Sequence, residues 1–293
     1  MTSASSTPVT APPARPAELE DWLNRQVYHP LSWRLARRLA STRITPDMVS
    51  AAGAATIMLA AASYGLIAAS WGAVLGLLLH MSWHALDGAD GDLARLTGRS
   101  SAHGELVDGI CDYAGHIVLY VTMGAIAAGQ IGGWGWALMW AAGASRVVQA
   151  AHYEGTRRQY QLAVYGPPWM GSEAPATDAK GRRHPFVAYY LWLTGWIVPH
   201  GAALRMAAQS PETSAPLREA MRRHGPALLA RIGPLSANYR TLAVGAAMLA
   251  GRPHWYFLFE IVVLGAVLVA SLARVRQVME AVLIQARASN TLR

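Results

Sequence analysis

Residues Asp87–Asp112 read D-G-A-D-G-D-L-A-R-L-T-G-R-S-S-A-H-G-E-L-V-D-G-I-C-D, and four of their aspartates, Asp87, Asp90, Asp108 and Asp112, lie between two long apolar segments. A carboxylate in a bilayer helix costs ~2.5–3.5 kcal/mol on insertion scales, so something must offset it. If each half is helical, three- and four-residue steps put Asp87, Asp90, Gly91, Ala94 and Arg95 on one face. Four-residue steps put Gly104, Asp108 and Asp112 on another. Two such faces turned together gather four carboxylates. Alone they repel and hold protons; with Mg²⁺ or Mn²⁺, which prefer hard oxygen ligands, they make a two-metal site for phosphoryl chemistry.

The pattern Asp87-x2-Asp90-Gly91-x2-Ala94-Arg95-x8-Gly104-x3-Asp108-x3-Asp112 resembles the signature of the CDP-alcohol phosphotransferases, integral membrane enzymes of phospholipid synthesis. Every fixed position is filled. Charges snorkelling at helix ends are the plain alternative, but they need no glycine or alanine at fixed offsets. The resemblance covers about residues 43–160.

Composition agrees with a membrane location. Of 293 residues, 53% are apolar and 14% charged, too apolar and too poorly charged for an ordinary soluble domain. Several apolar windows of about twenty residues predict a multi-pass protein. Residues 1–18 are rich in Pro, Ala, Ser and Thr without the apolar core of a secretory signal, and are expected to be disordered. The single cysteine, Cys111, excludes an intrachain disulfide and reads as a small apolar filler. The net charge of +8 comes from arginines beside apolar segments, the pattern of a protein facing anionic lipid rather than nucleic acid.

Along the chain, residues 19–42 form a basic amphipathic stretch, with Trp33, Leu35 and Leu39 set against Arg34, Arg37 and Arg38. It predicts a juxtamembrane helix lying in the interface, broken or kinked at Pro30. Thr45-Pro46 then has the cap chemistry of a helix start. Four crossings are predicted at about 46–70, 73–97, 104–130 and 132–161, so the motif spans the end of the second and the start of the third. Trp134, Trp136 and Trp140 form an aromatic belt. The polar inner half of the fourth crossing carries Arg146, Gln149, His152 and Arg157, expected to line the acceptor pocket. Residues 166–184 predict a Pro/Gly-rich loop, 185–208 an interfacial or re-entrant helix and 215–232 a basic amphipathic stretch. Two final crossings at about 237–250 and 254–274 and a cytoplasmic amphipathic tail complete the chain. The organisation is therefore a tail (1–18), a juxtamembrane helix (19–42), crossings 1–4 (43–165), an insert (166–234) and crossings 5–6 with the tail (235–293). The fold class is all-α, a multi-pass membrane protein with six core helices plus the N-terminal interfacial helix.

The resemblance implies transfer of a substituted phosphate from a CDP-linked donor to an alcohol, with release of CMP. It implies Asp87, Asp90 and Asp108 as ligands of two Mg²⁺ or Mn²⁺ ions, and Asp112 as general base that also touches metal. Asp47, Ser50, Gly91, Ala94, Arg95, Ser101 and Gly104 are implied to contact the nucleotide; Asp47 and Ser50 come from a T-P-(N/D)-x-x-(T/S) element, here Thr45–Ser50. Asp92 and Glu105 fall at variable positions and read as solvated helix-end charges. The donor expected is CDP-diacylglycerol entering from the bilayer, with a polar acceptor from the cytosol; the basic fourth helix leans toward an anionic one. A CDP-choline-like donor is the alternative within the family. A membrane prenyltransferase would carry two acidic motifs far apart in sequence, and a non-enzymatic divalent-cation carrier would not need Ala94, Arg95 or Gly104. The resemblance further suggests a homodimer, and arginines flanking the first three crossings orient the site toward the cytoplasm in the inner membrane.

Overall fold

Thr45 and Pro46 open the first long helix in the expected way: the Thr45 hydroxyl accepts from Met48 N at 3.3 Å, and Pro46 occupies the first turn, where no amide donor is required. In the computed structural model, which describes residues 15–67, 70–166, 192 and 195–291, all regular structure among those residues is helical. The chain falls into two compact units, Met1–Thr122 and Met123–Arg293.

The first unit begins with a short turn, Ala17–Leu19, then a π turn, Asn24–Tyr28, running directly into α1, His29–Leu39. Pro30 does not break this helix. A proline ring collides with the carbonyl four residues back, and the wider π turn before it removes the conflict. Arg34, Arg37 and Arg38 are exposed while Ser32, Trp33 and Ala36 are buried, the division of an amphipathic helix packed on its neighbour. Helix α2, Pro46–Leu66, packs on α3, Ser70–Leu96, through small residues. A side chain at Gly76 would strike the Tyr64 ring, and one at Gly53 would meet Trp83 Cδ1 at 3.3 Å. Glycines at contacts let membrane helices approach closely, where packing rather than water exclusion drives association. Gly88 does the same for α1: a Cβ there would lie 2.6 Å from Ser32 Oγ, and that hydroxyl sits 2.8 Å from Ala85 O. Helix α4, Ala102–Ile131, passes out of the first unit at Thr122; its Gly115 lies against Ile57 of α2.

In the second unit, the end of α4 turns through Gly132, φ +65°, into α5, Trp134–Tyr165, with Gly135 set against the backbone at Ala127 and Ala128. Trp134 and Trp140 are largely exposed. Helix α6, Gly201–Gln209, precedes α7, Pro211–Ile232, whose Leu217, Met221, Leu228 and Ile232 are buried and whose Arg218, Arg222 and Arg223 are exposed. Residues 167–184 of the expected loop and the first part of the 185–208 segment, up to 194 apart from 192, lie outside the described residues, as do residues 1–14 of the expected tail.

Helix α8, Ala237–Leu249, has 13 residues, so it spans about 20 Å against a hydrocarbon core of about 30 Å, less than the full crossing expected of it. Pro234 and Ser236 delay its start, and Gly251, φ +66°, ends the turn after it. The last helix runs from α9, Pro253–Leu258, through a π stretch, Phe259–Leu264, into α10, Gly265–Thr291. The expected separate tail is thus the continuation of this helix, held by buried Val275, Met279, Val282 and Ala286 on one face. Among the described residues, Pro46–Leu66, His103–Ile131 and Pro253–Ala288 are long and apolar enough to cross a membrane. Helices α3 and α5, 27 and 32 residues long, have the length but not so apolar a stretch. The chain is an all-helical membrane protein.

Candidate active site

The second half of α3 and the first turns of α4 are joined by a short connection through Gly98, φ +66°, so that Asp87, Asp90, Asp108 and Asp112 converge within the first unit. One carboxylate oxygen from each of Asp87, Asp108 and Asp112 lies within 4.8 Å of the other two. That spacing is close to the separation of about 4.2 Å between opposed ligands of an octahedral Mg²⁺, so the three could hold one ion. Asp90 joins from the same helix as Asp87: its side chain is in hydrogen-bonding contact with Asp108, as that of Asp87 is with Asp112. Carboxylates in direct contact need a shared proton or a cation between them.

Ser50 Oγ donates to Asp90 Oδ2 at 2.6 Å, and Gly91 N donates to Asp90 Oδ1. Trp83 Nε1 donates to Asp112 Oδ1 at 2.8 Å. The donor set is all hard oxygen, which fits Mg²⁺ or Mn²⁺ and not a soft metal. Cys111, between two of the aspartates in sequence, is not among the three converging ligands.

Other residues named from the sequence fall around this centre in different ways. Ser101 caps α4, accepting from Gly104 N at 3.1 Å, and a Cβ at Gly104 would meet Ser101 Oγ at 3.4 Å and Asp47 Oδ1 at 3.6 Å. Asp47, Ser101 and Gly104 therefore meet at one rim, with Asp47 and Ser101 exposed. Ala94 is half-buried. The space over Gly91 is filled by Arg95, whose guanidinium nitrogens would lie 3.3 Å from a Cβ there.

Three features were not read from the sequence. Asp92 is 1% exposed, not solvated: its Oδ1 accepts from Arg95 Nη2 at 2.6 Å and from Arg15 Nη2 at 2.7 Å. The reading failed because Asp92 lies near a helix end, and only the tertiary fold covers it. Glu105, read the same way, is exposed. Trp83 is not among the residues singled out from the sequence, although an indole N–H four residues before Asp87 is a legible donor. Beside it His80, His84 and His116 form an aromatic box with Tyr28, and His116 Nδ1 lies 2.8 Å from Asp112 O.

The residues expected to bind acceptor belong to α5 in the second unit. Gln149 is fully buried: its amide nitrogen donates to Ser145 Oγ at 2.7 Å and Glu260 O at 2.9 Å, and its oxygen accepts from Arg240 Nη2 at 2.9 Å. His152 is also fully buried, with Nε2 2.9 Å from Ser271 Oγ. These are the bonds of packing groups. Arg157 lies near Glu154, 3.4 Å away, and over the Tyr153 ring, 5.4 Å from its centroid. Arg146 is half-buried. The buried ion pair of Arg240 with Glu260 was not anticipated.

An all-helical membrane protein with an acidic centre built from two adjacent helices is the class that fold and site define. Comparison with known families narrows it: the CDP-alcohol phosphatidyltransferase model matches residues 43–210, more than half of the chain, which belongs to that family. It is thus a transferase of phospholipid synthesis that moves a phosphatidyl group from a CDP-alcohol to an alcohol in a membrane. No curated protein matches the chain.

Proposed function

We propose that the protein transfers the phosphatidyl group of CDP-diacylglycerol to a polar, anionic alcohol and releases CMP. The observation that carries this reading is the meeting of Asp87, Asp108 and Asp112 within 4.8 Å, with Asp90 touching Asp108, inside a chain of this family. Asp87, Asp90, Asp108 and Asp112 would hold two Mg²⁺ or Mn²⁺ ions. Such ions neutralise the diphosphate and the departing CMP when bound.

The chain's own residues supply the rest. Asp112 takes the proton of the acceptor hydroxyl, with Trp83 Nε1 fixing its carboxylate by the bond at 2.8 Å. Ser50 orients Asp90 in the same manner through the bond at 2.6 Å. Arg95 pairs with a donor phosphate through its planar donor fork. Asp47, Ser101 and Gly104, gathered at the exposed rim, and Gly91 and Ala94 on α3 contact the cytidine nucleotide. Arg146 and Arg157 attract the anionic acceptor; Gln149 and His152, expected on the same stripe, are engaged with Ser145, Arg240, Glu260 and Ser271. A cytoplasm-facing site in the inner membrane and a homodimer complete the reading, supported by arginines flanking the acidic stretch and by the family resemblance.

The test is incubation of purified protein with CDP-diacylglycerol, Mg²⁺ or Mn²⁺ and a panel of inositol phosphate, glycerol 3-phosphate, serine, inositol and choline, with CMP release as the readout. CMP formed only with a divalent ion and a phosphorylated acceptor is expected. CMP release from CDP-choline and diacylglycerol instead would assign the opposite donor.

A further inference from the structure

Asp92 holds two arginines on one oxygen. Its Oδ1 accepts from Arg95 Nη2 at 2.6 Å and from Arg15 Nη2 at 2.7 Å, while its buried Oδ2 has no hydrogen-bond partner among the described residues. A carboxylate 1% exposed cannot give up its last cation without a large penalty. One arginine alone would therefore be pinned there. With two, either is free to leave.

The two arginines are not equivalent. Arg95, with half of its side chain exposed, lies across Gly91 on the helix that carries Asp87 and Asp90. Arg15, 22% exposed, comes from the segment before the first turn, outside the residues that the family model matches. A guanidinium that turns from a carboxylate to a phosphate keeps the same paired geometry of N–H donors and loses little in the exchange.

We infer that Arg15 is a positioning residue for the transferase site: it retains the buried Asp92 carboxylate so that Arg95 can turn to the diphosphate of the incoming CDP-linked donor. This rests on the reading above that Arg95 meets donor phosphate. No bond to substrate is assigned to Arg15. The N-terminal segment then sets how readily the motif arginine is released.

The test is CMP binding in Mg²⁺ to the full-length purified protein, followed by titration calorimetry, with KM and kcat for CDP-diacylglycerol measured alongside. In Arg15→Ala, Arg95 is pinned to Asp92, so CMP affinity falls and the donor KM rises, each by about tenfold, the scale of one charge-assisted hydrogen bond, with kcat kept. Adding Asp92→Asn removes the pin and returns both to within about twofold of wild type. A merely structural anchor would show in thermal unfolding, so the midpoint is read in the same variants: Arg15→Ala is expected to keep it, since Arg95 still neutralises Asp92, and a fall that accounts for the lost affinity would overturn the inference. Asp92→Asn alone keeps wild-type CMP affinity or exceeds it, which preserves the test if the double variant does not purify. Wild-type affinity in Arg15→Ala, no recovery in the double variant, or a loss of about tenfold in Asp92→Asn would overturn the inference. Absence of CMP binding by the wild type would instead defeat the proposed function itself.

Discussion

Both units of this chain bury charge among apolar helices, and they balance it in opposite ways. In the second unit Glu260 faces Arg240, whose Nη2 donates to Gln149 and whose Nε donates to Leu235 O at 3.2 Å. One negative group meets one positive group, with neutral polar atoms on the rest. In the first unit four carboxylates converge, two of them in contact with the other two; Ser50 and the Gly91 amide donate to Asp90, and the Trp83 indole to Asp112. Arg15 and Arg95 pair with Asp92. A matched buried pair holds helices in register; an unmatched excess of carboxylate is a place made for cations.

The sharpest way to break this contrast is to remove one acid from each region. Asp112→Asn is expected to keep divalent-dependent CMP binding and to lower turnover by about 10²–10⁴-fold, the range for a general base, as read by CMP release and thermal shift. Normal turnover would remove Asp112 as base. Glu260→Gln strands Arg240 and is expected to cost about 3–5 kcal/mol of stability, while the folded fraction keeps its turnover. Thermal unfolding in detergent measures it, and a double change of Arg240→Met with Glu260→Leu should recover most of the loss if the pair is only structural.

Smaller changes sharpen the comparison. Ser50→Ala deletes the donor to Asp90 Oδ2 and is expected to weaken the site by about 1 kcal/mol, seen as a severalfold rise in the divalent-ion concentration for half-maximal activity. An unchanged requirement would place Ser50 outside the site's energetics. Arg146→Ala and Arg157→Ala are expected to raise the acceptor KM by about two- to fivefold each, as for a partly exposed charge pair, with kcat and CMP binding retained. Unchanged kinetics in both would remove α5 from acceptor recognition.

The acidic centre could be read from sequence because its geometry is mostly local. Steps of three and four residues place Asp87 near Asp90 and Asp108 near Asp112 on any helix, and Thr45, Pro46 and Ser101 carry cap chemistry that acts over three residues. The α5 stripe was legible as polar, but the same periodicity describes a pocket wall and a packing seam. The partners of Gln149, which lie 91 and 111 residues away, could not be seen. The bounds of the helix at 237–249 were legible, but the last helix runs past the expected end near 274 to Thr291, because its later turns are held by packing that hydropathy does not register.

What the sequence alone determined is the helical class, the membrane setting and the identity of the acids that share a helix face, since apolar run length and the 3.6-residue period are properties of a chain segment by itself. The tertiary structure decided which charges are buried and what each one holds. Asp92 looks like a solvated helix end until Arg15, 77 residues earlier, closes on it, and Arg240 and Glu260 look like costs until they face each other. Burial and pairing depend on which helix faces meet, and that choice is made by packing between segments distant along the chain.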